Sequence, residues 1–466
     1  MRYKKIDQQD IDFLKSICTD NRVYISDKIC EDFSHDEMPE YGKYYPEVMV
    51  EVLNTEEVSK IMTYASQHKI PVTPRGAGTG LCGGCVPLYG GILLSMMKMN
   101  RILGIDKYNL IATVEPGVLL MELSAKVEEH GLLYPPDPGE KSATIGGNVM
   151  TNAGGMRAIK YGVTRDYVRG MEVVLPSGEV LNFGGKIAKS SSGYSLKDLM
   201  IGSEGTLGII TKLHLRLIKL PKRNITLMIP FDNLQACLDV VPKILMAADT
   251  PTNLEFIERN VILYAEEYLG RKFPDKSAEA YILVTYSGND KKEIEKIYDD
   301  VAQLCLSQGA KDVLISDTEE RQNSIWIARG AFLEAIKNST PSMDECDVVV
   351  PIKKIGQYLE YAKSVEKQQQ IRLASFGHAG DGNLHIYVCK DALSDSEWKK
   401  QCHNVMDLLY SYAVELQGQV SGEHGIGHAK KRYLAESVGQ TQMELMRGIK
   451  RVFDPNYILN PGKICS

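Results

Sequence analysis

The sequence predicts an α+β fold in two parts with a closing segment, at residues 1–220, 221–420 and 421–466. Three observations carry this. A chain of 466 residues is longer than one small hydrophobic core can serve. Two loops dense in Gly, Ser, Thr and Asn, at residues 74–84 and 135–155, punctuate the strand and helix patterns early in the chain. After Pro221 the glycine clusters disappear and amphipathic helices alternate with strands, and the run Tyr281-Ile-Leu-Val-Thr-Tyr286 suggests an antiparallel sheet.

Element by element, residues 8–20 read as a short helix, Val48–Leu53 as a strand, and Ile70–Thr73 as a second strand. Between those strands, Thr55, Glu57 and Val58 open a helix that runs to about His68. This unit ends in Pro74-Arg-Gly-Ala-Gly-Thr-Gly-Leu-Cys-Gly-Gly84, in which Gly78, Gly80 and Gly83 satisfy G-x-G-x-x-G. A dinucleotide fingerprint should open a helix, yet the strand-like Gly91-Ile-Leu-Leu-Ser-Met-Met97 follows. The loop still suits an anion, because glycine amides can close on it without Cβ clashes while Arg75 supplies charge. The second loop sets Ser142, Thr144, Asn148, Thr151 and Asn152 among Gly139, Gly146, Gly147, Gly154 and Gly155. Together the two loops suggest a large phosphate-bearing cofactor gripped from two sides. Gly202-Ser-Glu-Gly-Thr-Leu-Gly-Ile-Ile210 continues the theme and ends in a strand. Farther on, Asn233–Met246 and Lys291–Gln308 are predicted helices, and Ala280–Tyr286 and Val348–Ile352 predicted strands.

Composition excludes several classes. With 44% apolar and 24% charged residues the chain is a globular protein, neither disordered nor fibrous. A net charge of −6 argues against a protein dominated by nucleic-acid backbone binding. No run approaches the ~18 apolar residues of a membrane helix. The opening MRYKKIDQQD has no apolar signal region, and Cys465 sits wrongly for prenylation, so a cytoplasmic protein is expected. Of ten cysteines only Cys82 and Cys85 have C-x-x-C spacing, without a second pair to complete a zinc or iron–sulfur site.

The stretch richest in chemistry is Ser375-Phe-Gly-His-Ala-Gly-Asp-Gly-Asn-Leu-His-Ile-Tyr-Val388. Asp381-Gly382 is a hairpin turn signal. A two-residue turn there sets His378 directly opposite His385, with Cβ atoms ~5 Å apart on one face; a wider turn leaves both histidines flanking one compact loop. Downstream, Ser421-Gly-Glu-His-Gly-Ile-Gly-His428 offers Glu423 as an oxygen ligand between glycines. Two histidines and a carboxylate with open positions suit Zn²⁺, Fe²⁺ or Mn²⁺. His424, next in line, is placed to act as a base, since imidazole titrates near neutrality. Five of the nine histidines fall between residues 378 and 428. Of these, His403 reads as an ordinary helical surface residue.

Taken together, Pro-Arg-Gly-x-Gly-Thr, Pro-Asp-Pro-Gly with Ala-Thr-Ile-Gly-Gly-Asn and Asn-Ala-Gly-Gly, and Gly-Ser-Glu-Gly-Thr-Leu-Gly-Ile resemble the FAD-binding domain of the vanillyl-alcohol-oxidase and p-cresol-methylhydroxylase superfamily. Within it the chain is similar to the branch of the glycolate oxidase D-subunit, D-lactate dehydrogenase and D-2-hydroxyglutarate dehydrogenase. The resemblance implies a two-subdomain FAD-binding domain over residues 1–220, a substrate or cap domain over 221–420, and a segment 421–466 that completes the active site and returns to the FAD domain. It implies that FAD is held by Pro74, Arg75, Gly76, Ala77, Gly78, Thr79 and Gly80, and by Pro138, Gly139, Ser142, Thr144, Gly146, Gly147, Asn148, Thr151, Asn152 and Gly155. Glu204, Gly205, Ile209 and Ile210 fall near the adenosine end, and Asn460, in Asp454-Pro-Asn-Tyr-Ile-Leu-Asn-Pro-Gly-Lys463, returns to the flavin. Neither glycine loop holds a histidine, so the flavin is expected to be non-covalent.

By the same resemblance His378, His385 and Glu423 are metal ligands, His424 is the catalytic histidine, Asn383 contacts substrate, and Arg329 of Trp326-Ile-Ala-Arg329 binds the substrate carboxylate. The implied reaction is oxidation of a small D-2-hydroxy acid to the 2-oxo acid, with D-lactate favoured and electron-transfer flavoprotein as acceptor. One feature departs from the relatives that take dicarboxylates. They place a lysine shortly before Asp-x-x-x-Pro, whereas Asp347-Val-Val-Val-Pro351 follows Glu345 and Cys346. An anion there argues against 2-hydroxyglutarate. Glycolate or 2-hydroxyglutarate turnover, an O₂-using oxidase, and a non-catalytic electron-relay subunit remain as rivals.

Overall fold

The structure, a computed structural model, describes residues 3–466 and divides into two compact units. The first contains the chain up to Gly154, Val163–Leu220 and Glu423–Ser466; the second contains Gly155–Gly162 and Pro221–Gly422.

The first unit has two principal sheets. In one, strands Val23–Ile25, Val48–Glu51, Ile92–Ser95 and Val72–Arg75 lie side by side in that order, the first pair antiparallel and the rest parallel. Helix Thr55–His68 makes the crossover that parallel strands require. Asn54 caps it by accepting from Glu57 N at 3.0 Å, and Lys69 ends it in the left-handed region. Leu14, Val58, Ile61, Met62, Leu94 and Leu459 share the core of this sheet. The second sheet is antiparallel, in the order Ile102–Asp106, Ile111–Val114, Ile209–Arg216, Val168–Val174, Val180–Gly184. The chain's last segment also belongs to this unit. Helix Lys431–Phe453 leads into a tail whose Leu459 bridges Val72, with Val72 N donating to Ile458 O at 2.8 Å and Asn460 N to Val72 O at 2.7 Å.

The second unit is built on a seven-stranded antiparallel sheet in the order Leu314–Ser316, Arg223–Phe231, Ala280–Gly288, Asn253–Glu258, Leu373–His378, Asn383–Cys389, Met343–Val349. Helices Arg259–Leu269, Glu319–Gly330 and Phe332–Asn338 bury Val261, Ile262, Ile325 and Phe332 with the sheet residues Ile257, Phe376 and Tyr387. The helix Lys291–Ser307 and the strand Ala280–Gly288 match their predicted places. Two elements differ. Asn233–Met246 is two helices, Leu234–Asp239 and Val241–Ala247, because Pro242 has no N–H to continue the first. The strand expected at Val348–Ile352 runs from Met343 to Val349, since Val350 N turns to Gly382 O at 3.0 Å and Pro351 follows. Among the described residues no helix is long and apolar enough to cross a membrane.

Candidate active site

In the first unit the two glycine loops meet. A Cβ on Gly76 would collide with Thr144 Oγ1, the atom that caps helix Ile145–Thr151 by accepting from Gly147 N at 3.2 Å. Residues 76–79, among them Ala77 and Thr79, are half-buried and Gly80 is exposed. Asn148, in the first turns of that helix, is buried with its Nδ2 atom lacking a hydrogen-bond partner. Asn460 is buried likewise: its Nδ2 donates to Gly84 O (2.8 Å) and Glu204 O (2.7 Å), and its Oδ1 has no partner. Buried polar atoms of this kind need a partner. A cradle of two glycine loops ending in such atoms fits a polar cofactor.

Several residues expected at the cofactor also hold the protein together. Arg75 is not presented as a loose cation: Nη1 donates to His35 O (2.7 Å) and Cys85 Sγ (3.2 Å), and Nη2 to Asp32 O (2.8 Å). Its charge thereby clamps residues 32–35 onto the loop, where Asp36 also accepts from Gly83 N at 2.5 Å. Burial pushes the Asp36 carboxyl up to about 6. The Glu204 carboxylate accepts from Ile426 N and Gly427 N, both at 2.7 Å, so it grips the Glu423–Gly427 loop. Gly427 must be glycine: its φ is +52°, and a Cβ there would strike the Cys82 carbonyl. Ile209 and Ile210 are buried strand residues paired with Val174 and Val173. Thr151 Oγ1 donates to Gly147 O at 3.2 Å, and Asn152 ends the helix in the left-handed region while its Oδ1 accepts from Arg165 N at 2.9 Å. Ser142 turns to Glu140 Oε1 (2.6 Å), near Pro138 and Gly139. Pro74 lies against Gly205, where a Cβ would come 2.8 Å from Pro74 Cγ. Gly155 opens the short stretch that packs with the second unit.

The Glu423-His424 pair lies at the edge of the second glycine loop. A Cβ on Gly154 would come within 2.8 Å of Glu423 Oε2, and His424 Nε2 is 3.6 Å from Glu423 Oε1. His428 stands three residues before the last helix, which begins at Lys431. Its ring sits against Gly83, edge-on to Tyr41 and Tyr44 at 6.2 and 5.9 Å, and its buried Nε2 lacks a partner.

In the second unit the two histidines stand on adjacent strands, but in a register other than the symmetric one. His378 pairs with Asn383, and His385 with Phe376, so the turn is the four residues 379–382. The direct opposition of His378 and His385 is therefore corrected. Their common face survives, because the pairing moved by an even number of residues; a one-residue slip would have put them on opposite faces. The ring centroids are 5.4 Å apart and nearly perpendicular.

Around them the same face carries Glu255, Asn383, Tyr387, Glu345 and Asp347. Glu255 Oε1 accepts from His378 Nδ1 at 2.7 Å, and Glu345 Oε1 from His385 Nδ1 at 2.9 Å. A carboxylate cannot donate, so each Nδ1 carries a proton; in the neutral ring this leaves the lone pair on Nε2, the tautomer that ligates a metal through Nε2. Glu345, read from the sequence as a charge repelling a second substrate carboxylate, is thus the partner of His385; the Tyr387 hydroxyl also bonds to it, and burial, then Glu345, push that phenol well above its ordinary range. Arg329 is buried, with its guanidinium held by a carboxylate. Nε and Nη2 donate to Glu255 Oε2 at 2.9 and 2.6 Å, over the Phe376 ring at 4.6 Å. Asn383 Nδ2 donates to Asp347 Oδ1 (2.7 Å) and Val348 O (2.9 Å). Asp347 Oδ2 accepts from Ser421 Oγ (2.8 Å) and Gly422 N (3.1 Å), which fixes the chain immediately before Glu423. Three buried carboxylates face one guanidinium and two imidazoles, an excess of buried negative charge that a divalent cation would balance. The donor set fits such an ion. Glu255 gave little sequence signal beyond a carboxylate inside the apolar run Leu254-Glu-Phe-Ile257.

Known proteins share the family and the fold. The FAD binding domain family matches residues 46–184, and the C-terminal domain of FAD linked oxidases matches residues 220–464. The chain is 52% identical to a D-lactate dehydrogenase of Anaerostipes hadrus, covering 100% of this chain and 98% of that protein. It is 38% identical to the glycolate oxidase subunit GlcD of Bacillus subtilis over 93% and 91% of the two chains. A solved p-cresol methylhydroxylase with substrate bound superposes with a TM-score of 0.83 at 19% identity, over 99% of this chain and 98% of that one. Its two-domain FAD-binding architecture is the one seen here. A polar cradle on glycine loops and matches along nearly the whole length lead to one conclusion: the chain belongs to the FAD-linked oxidase family and is a flavin-dependent oxidoreductase.

Proposed function

We propose that this FAD-dependent 2-hydroxyacid dehydrogenase prefers D-lactate, which it oxidises to the 2-oxo acid at a site made of His378, His385, Glu423, His424 and Arg329. The carrying observation is the pair of imidazoles on one sheet face, each locked through Nδ1 by a buried carboxylate. The likeness to a D-lactate dehydrogenase over the full chain supports the substrate. FAD, held without a covalent tether, supplies the two-electron acceptor, and a divalent ion held by His378, His385 and Glu423 supplies Lewis-acid polarisation of the 2-hydroxyl. His424 takes the hydroxyl proton. The Arg329 guanidinium, oriented by Glu255, meets the substrate carboxylate. Asn383, held by Asp347 and Val348 O, contacts the substrate. An electron-transfer flavoprotein takes the electrons onward in this reading, which rests on the likeness of motifs, and the enzyme works in the cytoplasm.

The test is kcat/KM with an artificial acceptor for D-lactate, L-lactate, glycolate and D-2-hydroxyglutarate, alongside elemental analysis and acid precipitation. D-Lactate should lead and the dicarboxylate should be poor, because the stretch just before Asp347, where relatives that take dicarboxylates are expected to carry a lysine, holds no cation. One methyl group separates lactate from glycolate by only about 1–3 kcal/mol. The 38% identity to a glycolate oxidase subunit makes glycolate the second reading. A preference for the dicarboxylate, or less than about half an equivalent of transition metal in active enzyme, would overturn the proposal. Acid should release all flavin into the supernatant.

A further inference from the structure

We infer that Glu255 is a positioning residue that couples metal retention to recognition of the substrate carboxylate. The inference rests on the reading of His378 as a ligand and of Arg329 as the carboxylate's partner. Glu255 is fully buried in strand Asn253–Glu258. That strand pairs Phe256 with Gly377 and Ile257 with Phe376, and the register carried one residue on sets Glu255 beside His378. One carboxylate oxygen then receives His378 Nδ1 and the other receives two N–H groups of Arg329. A single side chain therefore fixes both the tautomer of one imidazole and the plane of one guanidinium.

The other histidine provides an internal control. His385 is held by Glu345, whose further partner is the Tyr387 phenol. Losing either glutamate should loosen a ligand, but only the loss of Glu255 should also release Arg329. An ion pair present for stability alone would predict no such division.

The experiment compares wild type with Glu255→Gln, Glu345→Gln and Arg329→Lys, each purified with FAD and titrated with Zn²⁺ or Mn²⁺ against a chelator. Outer partners of ligating histidines are worth about 10–100-fold in metal affinity, so both Gln variants should weaken the ion by that much. At saturating metal, Glu255→Gln and Arg329→Lys should raise KM for D-lactate by more than Glu345→Gln does, because Glu255 is the carboxylate that receives the Arg329 guanidinium. If Glu255→Gln does not accumulate as folded flavoprotein, Glu255→Asp, which keeps the charge but shortens its reach, takes its place with the same expected readings. A folded Glu255 variant with wild-type metal affinity, or with wild-type KM at saturating metal, overturns the inference while leaving the proposed site standing. Wild-type enzyme that binds no metal overturns the proposed site and this inference with it.

Discussion

Glu204 and Glu255 are both buried carboxylates, one in each compact unit, and their surroundings drive them in opposite directions. Glu204 accepts from the amides of Ile426 and Gly427, and burial outweighs those bonds, so its carboxyl lies above the ordinary range. Burial pushes Glu255 up as well, but His378 and Arg329 overcome it and hold the carboxyl below that range. Two neutral dipoles can shape a loop but cannot repay the desolvation of an anion, whereas an imidazole and a guanidinium can. The first unit accordingly arranges backbone around its cradle, and the second arranges charge around its histidines.

His378→Ala probes this division most strongly. Because loss of an outer partner alone costs about 10–100-fold, removal of the ring should lower kcat by more than about 100-fold while flavin content stays at the wild-type level. Parallel loss of flavin and activity would show that the two regions do not act separately. Glu204→Gln should cost less. It turns an NH₂ group toward an amide N–H, leaving one buried donor opposed at about 1–3 kcal/mol. Thermal unfolding and the KM–kcat split report it; an unchanged melting temperature would break the account of Glu204 as the anchor of the Glu423–Gly427 loop. The smallest effect belongs to His428, whose ring is driven down to about 4 by burial and then by Lys463 and Lys431. Its unfolded value lies near 6.5, so the unfolded chain takes up the proton first as pH falls. Stability is therefore complete above about 6.5 and declines toward pH 4, by about 1–2 kcal/mol after allowance for partial exposure. His428→Gln should flatten melting temperature against pH in that window.

How far the sequence spoke for itself differed along the chain. The two-part α+β organisation and the glycine loops were legible, because glycine density and hydrophobic period are local signals. The hairpin was half legible. Asp381-Gly382 is a strong two-residue turn signal, yet the turn is four residues wide, with His378 O accepting from both Asp381 N (3.2 Å) and Gly382 N (3.1 Å). Neighbouring strands impose this: Gly380 N donates to Leu254 O at 3.0 Å, and Gly382 O accepts from Val350 N at 3.0 Å. Such contacts come from residues more than thirty or a hundred positions away, beyond what a dipeptide encodes. The partners of Arg75, Arg329 and Glu345 were illegible for the same reason. Each is a charged side chain visible in the sequence whose counter-charge or carbonyl partner lay on a distant element.

The bridge between Val72 and Leu459 carries a consequence for biogenesis. A ribosome adding about 5–20 residues per second delivers Leu459 roughly 20–80 s after Val72, and the second unit's chain emerges in between. During that interval the strand Val72–Arg75 is an unsatisfied edge, open to pairing with a neighbouring nascent chain. The unit that carries the glycine loops starts first and finishes last, so flavin can be captured by the complete cradle only once translation has passed Asn460.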